Sequence, residues 1–423
     1  MKEEYIHYVW ESKRLPVQKL VLVDGNPLEI LEFGQLNHDT GPDFFNAKLR
    51  LEELIWSGNV EMHVNSSDWY KHGHQHDPTY NNVILHVVYN YDEAVFVNGR
   101  ELPTLELRAY LDLDHFKNFQ YVFKKDEVLP CQPQLKQNKL LVFQQVSVAF
   151  SHRFDRKFKE LNQVFENANQ DYKQVLHYLL FQSFGGRVNK LPFQQLSQIL
   201  SYQLLLREAW DIQRVEALML GSSGLLSSAA NHPYTDRLKE HWYFLKQKYG
   251  LIEMHPSAWR FSGVRPSSFP NLKIVQLAHF IVQWKYEFLP FQSNNLNQLR
   301  EKFKSNISPF WRNHYSFKSR TLKKHEAHLS EKAQNVIFIN AFALFFWFRG
   351  KQKGKDRDLQ MAMDILLQLP PEENAIVEKW KKRGVDIESA FDTQALLEQN
   401  QFFCSIRKCL HCKIGNFMLS NKS

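Results

Sequence analysis

The sequence predicts an α+β protein: a mixed β-sheet with flanking helices over residues 1–112, then a large, mostly α-helical domain over residues 113–423. Apolar residues recur with the strand period through most of the first 110 residues and with the helical period from about residue 112 onward. Charge changes sign at the same place. Residues 1–110 hold 9 Lys+Arg against 17 Asp+Glu, and the remainder hold 44 against 28. A chain of 423 residues also exceeds what one ordinary core organises, so at least two domains are expected.

Tyr5, Ile6, Val9 and Trp10 share one face of residues 3–13, which predicts an opening helix. Residues 19–23 and 28–33 flank Asp24-Gly25-Asn26-Pro27, a turn signal between two strands. Residues 47–51 and 54–64 read as the next two strands, parted by Glu52-Glu53. Ser66-Ser67-Asp68 opens a short helix or turn. Residues 83–89 (VILHVVY) are apolar on both faces, the mark of a strand in the middle of a sheet. Residues 95–100 start a further hairpin that closes with residues 104–107. Helices are predicted over residues 140–165, 172–184, 193–210, 214–220, 235–249, 274–288, 296–303, 330–348, 356–369, 375–383 and 392–405. Gly185-Gly186, Gly221-Ser222-Ser223-Gly224, Pro266 with Pro270, and Pro370-Pro371 separate several of them.

With 43% hydrophobic and 23% charged residues the composition is that of a folded chain, neither fibrous nor disordered. The opening MKEEYIHYVWESKRL has no basic-then-apolar signal pattern. The longest apolar run, residues 336–348 (VIFINAFALFFWF), is too short to span a bilayer. No membrane association and a cytoplasmic location are therefore expected. In that compartment four Cys are free thiols or metal ligands, not a disulfide scaffold. The basic back portion suits a polyanion, so nucleic acid is the candidate partner.

Three groups of residues can carry chemistry. Glu61 and His63 lie two apart on a strand and so face the same side, and Asp43 can return beside them from the neighbouring strand. Two carboxylates suit Mg²⁺ or Mn²⁺, which prefer oxygen ligands and keep waters, with His63 placed to orient or deprotonate an attacking water. The following segment, residues 68–77 (DWYKHGHQHD), is the densest run of ligand-type side chains. His72, His74 and Asp77, with His86 on the adjacent strand, are additional candidates; a zinc hydrolase using residues 72–76 is one reading, polar loop histidines the other. Finally, Cys404-x4-Cys409-x2-Cys412 with the distant Cys131 has the composition of a four-thiolate site for Zn²⁺ or an iron–sulfur cluster. Arg260 and Arg265, beside Trp259 and Phe261, are the candidates for gripping phosphate, although Arg265 could equally satisfy loop carbonyls. The basic runs at 318–324 and 351–357 read as exposed segments.

The order helix, antiparallel strands with Pro42-Asp43, strand with Glu61-Met62-His63, helix, buried strand resembles the core of the PD-(D/E)XK nuclease-like superfamily. That resemblance implies a nuclease-like sheet in which Asp43 and Glu61 hold a divalent cation for phosphodiester cleavage. The chain departs from the pattern at His63, where a lysine is expected. End to end it also resembles an uncharacterised bacterial family, domain of unknown function 2851. Gly41-Pro42-Asp43-Phe44, residues 58–63 (GNVEMH), Ser67-Asp68-Trp69, residues 83–88 (VILHVV), Arg265-Pro266 with Phe269-Pro270, and residues 409–415 (CLHCKIG) carry this second resemblance. The resulting expectation is a metal-dependent nuclease-like protein. The alternative is a non-catalytic nucleic-acid- or protein-binding scaffold on a degenerate nuclease core.

Overall fold

The computed structural model describes the chain except residues 1, 14, 17–18, 38–39, 112–115, 118, 121–128, 130, 288–295, 305–306, 322 and 421–423. It falls into two compact units, Met1–Gln145 with Phe402–Ser423, and Val146–Gln401. The division thus comes at residue 145 and not at the expected 112, and residues 402–423 return to the first unit. The reason is apolar pairing across the sequence: Leu410, Met418 and Leu419 join the core that the first helix and the sheet make.

That core is built on α1 (Glu3–Glu11), whose Tyr5, Ile6, Tyr8, Val9 and Trp10 are all buried. The sheet follows as β1 (Leu20–Val21), β2 (Pro27–Glu32), β3 (Gln35–Leu36), β4 (Phe44–Leu51) and β5 (Leu54–Asn65). After the short α2 (Asp68–Lys71) come β6 (Val83–Asn90), the hairpin β7 (Phe96–Val97) and β8 (Arg100–Glu101), and β9 (Thr104–Glu106). The strand order is β1-β2-β4-β5-β6-β9, with β3 also on β4. Pairing is antiparallel through β5 and parallel from β5 to β6 and from β6 to β9. The mixed sheet with helices, and the helical region after it, are the α+β fold expected.

Alternation sets the two faces. Val60 and Met62 of β5, with Leu85 and Val87 of β6, enter the core under α1, while Glu61, His63 and His86 carry the polar atoms. Trp10 is wholly buried, and its indole N–H donates to the Phe33 carbonyl at 2.9 Å. The Asp24-Gly25-Asn26-Pro27 turn joins β1 to β2 as expected, with Leu20 opposite Leu28. One pairing differs: β7 closes on β8 around Asn98-Gly99, and residues 104–106 leave the hairpin to extend the main sheet beside β6. An Asn-Gly two-residue loop favours the tight hairpin, which frees the third segment for the sheet.

The second unit is helical. The helix Lys139–Asn167 carries the chain into it, and the helices Tyr172–Gly185, Ile212–Ser222, Pro233–Tyr249, Pro270–Trp284, Asp356–Gln368 and Ala375–Lys382 match the expected periodic segments. The segment expected as one helix over 193–210 is two, Lys190–Ile199 and Tyr202–Glu208, because Leu200 is extended and Ser201 caps the second by accepting from Leu204 N–H. The helix expected to run to residue 288 ends at Trp284, where Lys285 turns into the left-handed region at φ 53°; residue 288 itself lies outside the described residues. The apolar stretch around 336–348 is a buried helix with a π-turn at Phe338–Ala343. No helix among the described residues is long and apolar enough to cross a membrane.

Several buried polar groups in this unit are paired. Glu216 accepts from Tyr234 Oη at 3.0 Å and meets His279 Nε2 at 2.9 Å, while Trp311 Nε1 donates to Tyr234 Oη at 2.8 Å. His177, wholly enclosed, sits 2.6 Å from Tyr286 Oη through Nδ1 and 2.7 Å from the Leu200 carbonyl through Nε2. Both contacts suit the neutral ring, and burial pushes its pKa down from 6.5 to about 4. The folded value lies below the unfolded one, so the unfolded chain takes up the proton first. Stability is then lost as pH falls from 6.5 to about 4, by up to about 3 kcal/mol. Amide-exchange protection of Tyr172–Gly185, compared at pH 7 and pH 4.5, should diverge less in His177→Gln than in the parent; an equal divergence would show that His177 does not set this limb.

Candidate metal centre

The site forms where β4, β5, β6, α1 and the segment after α2 meet. On β4 the register slips between Phe44 and Ala47, a bulge with Asn46 in the left-handed region at φ 58°. A bulge bends the strand locally and re-aims what precedes it, which brings Asp43 against β5. Asp43 Oδ2 accepts from Met62 N–H at 2.9 Å, and Asp43 N–H donates to Glu61 Oε2 at 3.1 Å. Glu61 thus grips the backbone of Asp43, and Asp43 grips that of Met62, the residue after Glu61. Gly58 is required just before them, since a Cβ there would lie 2.5 Å from Ile84 Cγ2 and 2.6 Å from the Asn82 carbonyl oxygen.

On α1, Glu3 and His7 are one turn apart, and His7 Nε2 lies 3.1 Å from Asp43 Oδ2. Burial opposes charge on His7, but the Asp43 carboxylate outweighs it and raises the pKa. Glu61, 5% exposed, is held well above the usual carboxylate range by burial and by the charge of Asp43.

The sheet face beyond Glu61 is lined by imidazoles. His63 Nδ1 faces His86 Nε2 at 2.8 Å, and His63 Nε2 faces His72 Nδ1 at 3.1 Å. Glu61 Oε1 lies 3.2 Å from His74 Nε2 and 3.7 Å from His63 Nε2. Burial, and then the neighbouring rings, push His63 down to about 2, and burial takes His86 to about 3. Both are neutral rings. The position where the nuclease-like pattern has a lysine charge therefore carries an uncharged donor instead. Trp69, fully buried, packs edge-on against His63, His74 and His86, and Tyr80 stacks on His74 with centroids 3.9 Å apart.

This arrangement fits a metal ion. His63, His72 and His74 each offer a nitrogen, all within 4.8 Å of one another. Ligands about 2.0–2.1 Å from a tetrahedral ion stand roughly 3.3 Å apart; His63 Nε2 and His72 Nδ1 are 3.1 Å apart, and Glu61 Oε1 lies 3.2 Å from His74 Nε2 and 3.7 Å from His63 Nε2. His63 is buried and His72 exposed, so the cluster runs from the sheet interior to solvent. In the tautomer in which His63 Nδ1–H donates to His86 Nε2, the His63 Nε2 lone pair is left for an ion.

Of the expected site residues, Asp43, Glu61, His63, His72, His74 and His86 come together. Asp77 does not join them: its carboxylate accepts from Thr79 N–H and Oγ1 at 2.9 and 2.8 Å and caps the turn Pro78–Tyr80. Glu3, His7, Trp69 and Tyr80 were not singled out from the sequence. The i, i+4 spacing of Glu3 and His7 at the border of the apolar face of α1 is the one signal that points to the first two.

Arg260 and Arg265 lie in the second unit, both exposed. The backbone of Arg260 is pinned on both sides by Asn189, at 2.8 and 2.9 Å. Arg265 lines a cleft of about 410 Å³ with Arg187, Lys273 and Lys332. Trp259 is no stacking platform; it is buried, edge-on to Phe193, with its N–H given to the Ser223 carbonyl at 2.8 Å. The four cysteines, none of them in a disulfide, belong to the first unit. Burial, and then the thiols of Cys404, Cys412 and Cys409, push the Cys131 thiol up to about 12.

No curated protein and no solved structure matches the chain. The family model described as "Protein of unknown function (DUF2851)" matches residues 3–375, nearly the whole chain. The geometry above is thus the site of a protein that belongs to the DUF2851 family.

Proposed function

We propose that the first unit is a metal-dependent hydrolase of phosphodiesters, with nucleic acid as the substrate class. The observation that carries this reading is the convergence of Asp43, Glu61, His63, His72 and His74 on one partly open spot. The order α1, β2, β4, β5, α2, β6, antiparallel and then parallel, supports a nuclease-like core.

Glu61, His63, His72 and His74 would hold the ion. Three imidazoles and one carboxylate favour a transition ion such as Mn²⁺ or Zn²⁺ over Mg²⁺. A bound ion of this kind polarises the phosphoryl oxygen and supplies hydroxide near neutral pH. Asp43, oriented by His7 and the Met62 amide, stands beside Glu61 as the group to hold a water or a second cation. In this reading His63 would serve as a ligand and not as the base, because both of its nitrogens face other rings.

Metal-stripped protein should leave DNA, RNA and bis(p-nitrophenyl) phosphate intact. Added Mn²⁺ should restore cleavage more strongly than Mg²⁺, and His72→Ala with His74→Ala should raise the Mn²⁺ concentration required by 10-fold or more, in the range that ligand-shell changes produce. Salt-sensitive nucleic-acid binding with no cleavage under Mn²⁺, Zn²⁺ or Mg²⁺ would sink the hydrolase reading in favour of a binding scaffold.

A further inference from the structure

We propose that the cleft lined by Arg187, Arg265, Lys273 and Lys332 is a binding site for a small molecule that carries a diphosphate or triphosphate group. The cleft lies wholly in the second unit, so this inference rests neither on the metal centre nor on the hydrolase reading.

Three segments make its walls. Residues 183–189 close the helix Tyr172–Gly185 and turn out of it, residues 263–268 lead into the helix Pro270–Trp284, and the helix Glu331–Ile337 supplies the third wall. The first two are pinned to each other. Asn189, 2% exposed, accepts from Arg260 N–H at 2.8 Å and donates to the Arg260 carbonyl at 2.9 Å. Gly186 and Gly263 turn these loops at φ 57° and 72°, and a Cβ at either would meet nothing within 4 Å. Such turns leave the backbone bare for a ligand to approach. The space of about 410 Å³ is of the size that small-molecule sites have. A nucleic-acid strand instead needs a groove that follows several nucleotides.

The charge is one-sided. Four cations line the cleft and, among the described residues, no carboxylate does. Lys332 Nζ meets Glu373 Oε2 at 2.6 Å, and among the described residues Arg187, Arg265 and Lys273 enter no ion pair. Lys273 is half-buried, and its Nζ donates to Gln276 Oε1 at 3.0 Å. Gln276, 5% exposed, is itself fixed by donating Nε2 to the Ala327 carbonyl at 2.8 Å. A neutral acceptor thus holds the ammonium in place and leaves it further donors for a ligand. Burial pulls its pKa down to about 8, and no neighbouring anion offsets that. A cation drawn out of water is ordinarily paired; a bound anion supplies the missing partner. Arg187 and Arg265 bring guanidinium forks, which match pairs of phosphate oxygens. A monophosphate carries only about −1.5 to −2 at neutral pH, so the three uncompensated cations suit a diphosphate better.

The test uses the full chain in EDTA, which keeps metal out of the histidine cluster. Calorimetric titrations compare inorganic pyrophosphate, inorganic phosphate and a short single-stranded oligonucleotide. Pyrophosphate should saturate one site per chain and bind about 10-fold or more tighter than phosphate, as extra charge-assisted hydrogen bonds allow. Lys273→Met and Arg187→Glu should each weaken it by about 10-fold or more. Lys351→Glu, outside the cleft, and His72→Ala, in the first unit, should leave it unchanged. In the unmodified chain pyrophosphate should slow amide exchange in residues 183–189 and in Glu331–Ile337, but not in Ala375–Lys382. Four results overturn the site: no saturable pyrophosphate binding, phosphate bound as tightly, equal weakening by Lys351→Glu, or an oligonucleotide that binds where pyrophosphate does not. The exchange result decides the matter even if Lys273→Met fails to fold.

Discussion

Glu61→Gln is expected to abolish metal-dependent cleavage while leaving the metal-free fold intact. The amide keeps the shape, and its oxygen can still accept from Asp43 N–H as the carboxylate does at 3.1 Å. What it removes is the one anionic donor facing His74 and His63. Loss of a charged group that acts at the reacting centre lowers turnover on the order of 10³-fold. The stability readout runs the other way. Burial and the Asp43 charge raise the Glu61 carboxyl from its ordinary 4.5, so the folded chain holds this proton more tightly than the unfolded one. Stability from this group is complete below 4.5 and is lost as pH rises through the folded value. Metal-free parent should therefore weaken on going alkaline, and Glu61→Gln should weaken less. A variant that cleaves at the parental rate, or that unfolds at neutral pH without metal, would remove Glu61 from the site.

The sheet was legible because its signals are local. Alternation, the Asp24–Pro27 turn and the doubly apolar run at 83–89 each depend on a few neighbouring residues, and each element formed where its pattern stands. Asp43, Glu61 and His63 were legible too, since strand geometry alone puts two of them on one face. His72, His74 and His86 were legible as candidates, but which rings of the 72–76 segment join them was not: that depends on the packing of Trp69 and Tyr80 against His74, and period carries no trace of it. Asp77 looked like a ligand by composition, but a carboxylate before Pro-Thr caps its own turn first. The role of His63 also shifted. From the sequence it replaces a lysine; in the fold it is one of four rings, and burial among them decides that it is a neutral donor. Return of the C-terminus to the first unit required Leu419 to find a core laid down hundreds of residues earlier.

Glu398→Ala should be the most damaging single change in the helical unit. Its carboxylate is 1% exposed and is shared by one helix face. Arg156 grips it through a two-toothed fork, Nε to Oε1 at 3.0 Å and NH2 to Oε2 at 2.8 Å. His152 Nδ1 lies 2.9 Å from Oε1, and Arg153 NH1 is 3.9 Å from Oε2. Burial lowers the Arg153 pKa, a sign of a guanidinium stripped of water whose nearest compensation is this one anion. Deleting the anion strands that cation, which costs about 3–5 kcal/mol, more than the ion pair itself contributes. In a chain of two units a single unfolding midpoint is ambiguous. The appropriate measurement is hydrogen exchange in Ala390–Gln399 and in residues 146–167, where protection should fall by on the order of 10²-fold or more. Adding Arg153→Met to Glu398→Ala should recover part of the loss, because the most deeply buried of the cations is then no longer left behind. The Glu398 pKa is itself lowered despite burial, by its bonds to Arg156 and His152. Its contribution is thus present above the unfolded carboxyl value of 4.5 and fades as pH falls below it. Protection unchanged at neutral pH in Glu398→Ala, or a double variant weaker than the single, would show that the stranded charge is not what holds these helices.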